Sequence, residues 1–456
     1  MKCNFAQIFV MKRILLIGAG RSSSYLISYL LDKANTEGWE LTIGDISRES
    51  ALDKLGGSSS GRAIALDIHD SIKTSAEIEV ADLVISMLPA HMHIAIAREC
   101  VRLKKHLVTA SYVSDDMKEL DKSAREAGVI LLNECGLDPG IDHMSAMEVI
   151  DKVHEGGGRF SSFKSYTGGL VAPESNDNPW GYKFSWNPKN VILAGQGTAK
   201  YMDKGKFKYL PYHRLYMQVE KCDIDGLGTF DGYANRDSLS YRKVYQLEHI
   251  STMIRGTFRQ EGFCKAWNIF VQLGLTDDSY KIEDASKLTW SQLTEAFLPP
   301  DNANKSLRRR LADFVSLSED DEAIKMVEWT GILEDKALGK SNASPADLLQ
   351  SLLEMKWVLG KEDKDMIVMQ HLFEYEQDNK KHKLRCSLVV KGENSVYTAM
   401  AKTVGLPVAI ASVLILKGQI ASRGVKIPVE KEIYVPVLKE LEKQGISFVH
   451  QLEGGS

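Results

Sequence analysis

A short glycine-rich stretch is the first feature with chemical consequence. Gly18-Ala19-Gly20-Arg21-Ser22-Ser23 follows the apolar run Arg13-Ile14-Leu15-Leu16-Ile17 and precedes a helical pattern carrying Tyr25, Leu26, Tyr29 and Leu30. Glycine at 18 permits a tight turn, and glycine at 20 lets the backbone approach a pyrophosphate. The helix that follows offers free N–H groups and the positive end of its dipole. The third glycine of such fingerprints is replaced here by Ser23, small enough for close helix–strand packing. The expectation is a dinucleotide site rather than a plain tight turn.

Asp45 ends the next strand candidate, Leu41-Thr42-Ile43-Gly44-Asp45. A carboxylate there can accept hydrogen bonds from both ribose hydroxyls and repels a 2′-phosphate, so NAD is the expected cofactor. Arg48 lies close enough to keep NADP open, and a strand-end aspartate can also simply cap the following turn. Asp67 follows a third strand candidate, Ala63-Ile64-Ala65-Leu66-Asp67. Ser86-Met87-Leu88-Pro89 follows a fourth, Leu83–Met87, and Thr109-Ala110-Ser111-Tyr112 a fifth, at 107–109. In a parallel sheet these carboxyl ends face the ligand crevice.

A sixth strand at 129–132 runs into Asn133-Glu134-Cys135-Gly136-Leu137-Asp138-Pro139-Gly140-Ile141-Asp142-His143. Pro139 biases Asp138 away from the helical region, so Asp138 is expected on a stiff turn near the nicotinamide. Asp142 reads as a helix N-cap, and Cys135, with no visible base, as inert. Gly168–Asn187 is too polar for a core and too aromatic for a linker, and reads as a binding loop. Asn235-Arg236-Asp237 and Arg255-Gly256-Thr257-Phe258-Arg259 carry arginines suited to carboxylates. If Arg255 and Arg259 are helical, they share a face; surface salt bridging is the alternative. His91 and His93 stand two apart without carboxylate or cysteine neighbours, so no metal site is expected.

The elements that must position these residues alternate. Six short apolar strands are separated by helical patterns, including 91–103 and 115–127 with Ser114 as N-cap. This predicts a doubly wound parallel α/β sheet, Rossmann-like, over residues 12–140. A C-terminal helix near 396–424 is expected to pack back on it. Residues 141–277 and 363–456 are expected to form a mixed α/β substrate domain, with strands resuming at 365–375 and 384–390. Residues 278–362 are expected to be a small helical insertion domain.

The 456 residues suit two or three domains. A formal charge of −4, with dispersed Lys and Arg, gives no basic field for nucleic acid. No apolar run reaches the ~18 residues that a bilayer span needs; Val404–Leu416 contains Pro407 and reads as a buried helix. Six scattered cysteines, none in a CxxC, fit a reduced cytoplasmic location. Residues 1–10 read as an extension ahead of the fold, with Met11 directly before the first strand.

Taken in order, several strings resemble the saccharopine dehydrogenase (L-glutamate-forming), or saccharopine reductase, family. They are Leu83-Val84-Ile85-Ser86-Met87-Leu88-Pro89, Val108-Thr109-Ala110-Ser111-Tyr112, Gly136–His143, Ala172-Pro173-Glu174, Asp177-Asn178-Pro179, Tyr182–Trp186, Asn235–Ser238 and Ile254–Thr257. The resemblance runs from about Arg13 to about Phe448. It implies a nicotinamide-dependent oxidoreductase that interconverts saccharopine with glutamate and 2-aminoadipate 6-semialdehyde. It implies contact of Asn187 with the cofactor and of Ser111, Tyr112, Asp138 and Arg236 with saccharopine. Beside these, the turn and the strand ends make Gly18, Ala19, Gly20, Arg21, Ser22, Asp45, Ile46, Asp67, Ile68, Leu88, Ala110, Ser111, Leu137, Asp138 and Pro139 the expected cofactor residues. Thr257 and Arg259 are further substrate candidates, and Tyr112 and Asp138 are favoured for proton handling.

Three departures matter. NADP-using members tend to have Cys-Arg where Asp45-Ile46 stands here, many have cysteine at Thr167, and Cys135 replaces an aliphatic residue. Partners are expected to be small molecules, with neither nucleic acid nor membrane and a homodimer left open. A related imine reductase acting on polyamines and a non-catalytic NAD-binding sensor are the rival readings; the arginines argue against the first.

Overall fold

The computed structural model describes residues 11–300 and 304–453, so the extension 1–10 lies outside the described residues. The chain divides into two compact units: residues up to Gly157 with Val396–Phe448, and Gly158–Ser395 with the segment from Val449.

The first unit is built on strands β1 (Arg13–Ile17), β2 (Glu40–Asp45), β3 (Gly61–Ala65), β4 (Leu83–Ser86), β5 (His106–Thr109) and β6 (Ile130–Leu132). Between them run helices α1 (Ser24–Glu37), α2 (Arg48–Leu55), α3 (Ser71–Val80), α4 (His93–Leu103), α5 (Asp115–Glu119) and α6 (Asp121–Ala127), and α7 (Ile141–Glu155) follows β6. The strands pair in parallel in the order β3-β2-β1-β4-β5-β6, and a short strand at Gly424–Lys426 adds beside β6. Near-continuous apolar strands such as β4, buried throughout, are what a sheet covered on both faces requires.

The third strand sits two residues earlier than its apolar run suggests, and the 115–127 pattern breaks into α5 and α6. Ser114 does cap α5, its Oγ accepting from the Met117 amide at 3.1 Å.

The sequence-based division into domains needs three corrections. Helix α7 belongs to the first unit, because ten of its fifteen residues are buried there and Tyr434 of the returning helix Lys431–Lys443 donates to Asp151 at 2.6 Å. The return extends to Phe448 rather than ending near 424. The helices of 278–362 form no separate body. Their Trp290, Leu293, Leu311, Val327, Leu352 and Trp357 share one apolar cluster with Trp180, Phe230, Phe258 and Trp267 of the second unit.

Helix Ala399–Leu416 is 18 residues long, and by length and composition it could cross a membrane. It is instead mostly buried within the first unit and lies on α1. A side chain at Gly405 would begin 3.0 Å from both the Leu26 Cβ and the Ser22 carbonyl oxygen, so glycine is what allows this approach.

The second unit is a mixed nine-stranded sheet. Its central path is Glu220–Ile224, Gly228–Ala234, Thr252–Gln260, Arg159–Val171, Asp365–Gln377, Lys380–Lys391 and Val449–Glu453. Among its named strands in the described residues, Thr252–Gln260 and Arg159–Val171 are the pair that runs parallel. The segment 168–187 is not an open loop. Trp180, Tyr182 and Phe184 are core residues, and buried Lys183 is held by Asp177 at 2.8 Å and Asp363 at 2.7 Å. Its polar character comes from that internal pairing.

Gly405→Val should destabilise the protein by about 1–3 kcal/mol, as overpacking does. Gly418→Ala, where open space surrounds a positive φ, should cost about 1 kcal/mol through backbone strain alone. Denaturant unfolding of both variants checks this; equal losses would mean that Gly405 does not hold the helix against α1.

Candidate functional site

The glycine turn joins β1 to a single 3-10 turn, Arg21–Ser23, before α1 begins. Gly18 has φ 101° and donates from its amide to the Gly44 carbonyl at 2.8 Å, tying the turn to β2. The space beside Gly20 is open: a Cβ there would meet nothing within 4 Å. Ser23 is buried, its hydroxyl donating to the Gly20 carbonyl at 2.7 Å. The first amides of a helix lack partners within the helix, so an exposed turn with open space at Gly20 fits a pyrophosphate.

Asp45 stands at the end of β2 with both oxygens engaged. Oδ2 accepts from the Ala19 amide at 2.8 Å and Oδ1 from the Ser47 amide at 3.1 Å. It therefore caps the following turn and touches the glycine loop. Ile46 beside it is 80% exposed, leaving no bulk over the rim. Arg48 turns aside, its Nε donating to the Ala63 carbonyl at 3.3 Å. Asp67 is exposed just past β3, its Oδ1 accepting from the His69 amide, and Ile68 is half-buried beside it. Leu88 is half-buried past β4.

The loops after β5 and β6 are bound to each other. Cys135 and Glu134 donate from their amides to the carbonyls of Thr109 and Ser111, at 3.1 and 3.0 Å. Gly136 packs on Ala110, and Gly140, at φ 149°, lies so close to the Gly136 backbone that any Cβ would overlap it. This stacked turn presents Leu137, Asp138 and Pro139. The Tyr112 hydroxyl donates to Asp138 Oδ1 at 3.0 Å. Two titratable groups, both half-buried, thus meet at the carboxyl edge of the sheet.

Beneath them Glu134 is buried, its Oε1 accepting from the Val113 amide at 3.0 Å and its Oε2 lying 2.8 Å from His143 Nε2. Asp142 is not the N-cap, a position Gly140 fills. Its Oδ1 instead accepts from the Gly140 amide at 2.6 Å. Cys135 is fully buried, and burial pushes its thiol up to about 12, in keeping with an inert role.

Sequence reasoning missed His93, dismissed there as a metal ligand. It is buried at the start of α4, with Nδ1 2.8 Å from Ser86 Oγ and Nε2 2.8 Å from Ser111 Oγ. Thr109 Oγ1 lies 3.3 Å from the same Nε2. Burial, with a smaller contribution from His91, lowers its pKa to about 4. A histidine shortly after the Ser86–Pro89 string was the available signal. Among the described residues no group of side chains could hold a metal ion.

The remaining predicted residues lie in the second unit. Arg236 is exposed on a turn at φ 46°, its carbonyl accepting from the Lys200 amide. Asp237 next to it is occupied elsewhere, accepting from the Leu239 and Ser240 amides and pairing with Lys200 at 3.4 Å. Arg255, Thr257 and Arg259 sit on strand Thr252–Gln260, not on a helix, and share a face through its period of two.

Arg255 is buried with its guanidinium 4.2 Å from the Tyr241 ring centre. Arg259 is not the open carboxylate clamp expected: it is buried, 5.4 Å from the ring centres of Tyr182 and Phe263, with Nη1 donating to the Phe258 carbonyl. Asn187 caps the helix Pro188–Ile192 through the Asn190 amide. Thr167 is buried, its hydroxyl without a hydrogen-bond partner.

Comparison with known proteins bears on this arrangement. Family profiles described as the saccharopine dehydrogenase NADP binding domain and the saccharopine dehydrogenase C-terminal domain match residues 14–132 and 136–446. Saccharopine dehydrogenase (NADP(+), L-glutamate-forming) of Pyricularia oryzae is 35% identical over 444 residues, covering 95% of this chain and 98% of that protein. Mitochondrial alpha-aminoadipic semialdehyde synthase of Bos taurus is 36% identical over 96% of this chain, which spans 48% of that protein's length. The solved apo structure of the L-Glu-forming saccharopine dehydrogenase from Saccharomyces cerevisiae superposes with a TM-score of 0.87 at 33% identity, covering 97% of this chain and 100% of that one.

The neutral His93 has a consequence for stability. Its folded pKa lies below the ordinary value of 6.5, so between pH 6.5 and about 4 the unfolded chain binds the proton and the folded one does not. Stability should therefore fall as pH drops through that window, by an amount on the order of 3 kcal/mol from this residue. Urea unfolding at several pH values, compared between wild type and His93→Gln, should show a shallower acid loss in the variant.

Proposed function

The chain belongs to the saccharopine dehydrogenase family, and on that premise we propose that it interconverts saccharopine with L-glutamate and 2-aminoadipate 6-semialdehyde. The observation that carries this reading is the Tyr112–Asp138 hydrogen bond, on the same parallel sheet whose first strand leads into the open glycine turn. The nicotinamide cofactor supplies a hydride acceptor, or donor in the reverse direction. Gly18, Ala19, Gly20, Arg21 and Ser22 would hold its pyrophosphate, and Asp45 and Ile46 its adenosine ribose. Asp67, Ile68 and Leu88 would flank the adenine. Ala110, Leu137 and Pro139 would support the nicotinamide, and Asn187 is a further candidate cofactor contact.

In the oxidative direction the C–H bond at the lysyl ε-carbon breaks with loss of hydride, and the secondary amine loses its proton as C=N forms. Water adds to that imine, and the C–N bond then breaks with the proton going to the departing glutamate nitrogen. Tyr112 and Asp138, joined by their hydrogen bond, hold and pass these protons. Ser111, Arg236 and Thr257 hold substrate polar groups. Arg259, buried against the rings of Tyr182 and Phe263, supports its strand. Turnover by the purified protein with saccharopine tests the whole reading; binding of cofactor without turnover would favour a sensor.

We further propose NAD over NADP for this chain, although relatives carry NADP(+) in their names. Asp45 is the support, since its carboxylate lies at the glycine turn where a 2′-phosphate would meet like charge. kcat/KM with the two cofactors should favour NAD, and Asp45→Ala should narrow the gap; a native preference for NADP would refute the assignment.

Arg236 provides the second test. Its guanidinium is assigned to a substrate carboxylate, a charge-assisted contact whose loss typically costs about 2–4 kcal/mol. Arg236→Ala should raise KM for saccharopine by roughly 30-fold or more and leave NAD affinity nearly unchanged. A normal KM with a lowered melting temperature would instead mark Arg236 as a loop-holding residue.

A further inference from the structure

A buried histidine that touches a proposed substrate residue can decide what that residue offers. His93 is 4% exposed and spans two hydroxyls, Ser86 on Nδ1 and Ser111 on Nε2, each at 2.8 Å. Ser86 ends β4 and Ser111 follows β5, so the ring bridges two neighbouring strands at the carboxyl edge of the sheet. Ser86 is fully buried, whereas Ser111 is half-buried and lies directly before Tyr112. One end of the bridge is thus anchored in the core and the other faces the site.

A neutral imidazole has one N–H and one bare nitrogen. If Nδ1 carries the proton, Nε2 accepts and consumes the Ser111 O–H, leaving Ser111 only lone pairs for a ligand. If Nε2 carries it, the Ser111 oxygen receives that proton and its own O–H is released to donate. Thr109 already takes the Ser111 amide, its Oγ1 accepting at 3.3 Å, so the hydroxyl is the group left to set. Saccharopine carries three carboxylates, which need donors.

We propose that His93 is a positioning residue: as the Nε2–H tautomer, anchored by Ser86, it holds Ser111 as a hydrogen-bond donor to a substrate carboxylate. The inference rests on the assignment of Ser111 to saccharopine. It requires Ser86 to donate to Nδ1, which a buried hydroxyl with a rotatable proton can do.

The tautomer is read first, by imidazole nitrogen-15 shifts of the full-length protein at pH 7. Nε2 should be the protonated nitrogen, and Ser111→Ala should move its shift more than that of Nδ1. An Nδ1–H tautomer, or no response to Ser111→Ala, overturns the inference. Kinetics come second. Asparagine places its amide where Nδ1 stands and keeps Ser86; glutamine reaches the Nε2 position and can still donate to Ser111. His93→Asn should raise KM for saccharopine about tenfold with little change in kcat or NAD affinity, the loss of roughly one hydrogen bond.

His93→Gln should restore KM to within about threefold, and His93→Asn should add nothing in a Ser111→Ala background. Equal losses in the two variants, or additive losses, would show His93 to be packing alone. Because the tautomer is read without substrate, absence of saccharopine turnover by the wild type would refute the functional reading and not this contact.

Discussion

One buried carboxylate sets the geometry of the sheet's carboxyl edge. Glu134 is 4% exposed and sits at φ 54°, a strained backbone for a non-glycine residue. Burying a charge of this kind costs several kcal/mol unless it is fully paired. Here one oxygen takes the Val113 amide and the other faces the His143 ring, while its own amide reaches the Ser111 carbonyl. These bonds fasten the loop after β5 to the loop before α7. Tyr112 lies on the first and Asp138 on the second, so their meeting is a consequence of where Glu134 is held.

The same economy recurs along the rest of the edge, where each candidate residue is fixed by a second group behind it. Asp45 is fixed through Ala19 and Ser47, Ser111 through His93, and the turn at Gly20 through Ser23. Preorganisation of this kind is what a hydride-transfer site requires, because the reacting atoms must be aligned and water kept out. At the rim beside the turn, the Asp45 carboxylate is held in place by the Ala19 and Ser47 amides while Ile46 stays exposed.

Much of this was legible in the sequence because it is local. The glycine turn, the six strands and the Asp138-Pro139 turn depend on neighbours within a few residues, and periodicity or backbone restriction reveals them. What was not legible depends on partners far along the chain. Lys183 is neutralised by Asp363, 180 residues away, so a core plug read as a binding loop. His93 gains its meaning from Ser111 across two strands. Arg259 looked like a surface clamp because nothing nearby in sequence foretells the rings of Tyr182 and Phe263. The helices of 278–362 carried their own apolar periodicity, and only Trp357 against Trp180 and Trp267 shows that they complete a larger core.

The return of Val396–Phe448 to the first unit bears on how the chain comes off the ribosome. Helix Ala399–Leu416 covers α1 beside the glycine turn, yet about 240 residues of the second unit are synthesised between Gly157 and this segment. At roughly 5–20 residues per second, that interval is some tens of seconds. Throughout it the nascent sheet presents the apolar patch around Leu26 that Gly405 will later cover. Such a surface is a natural station for a chaperone, and completion of the nucleotide-binding half waits until the second unit has been made.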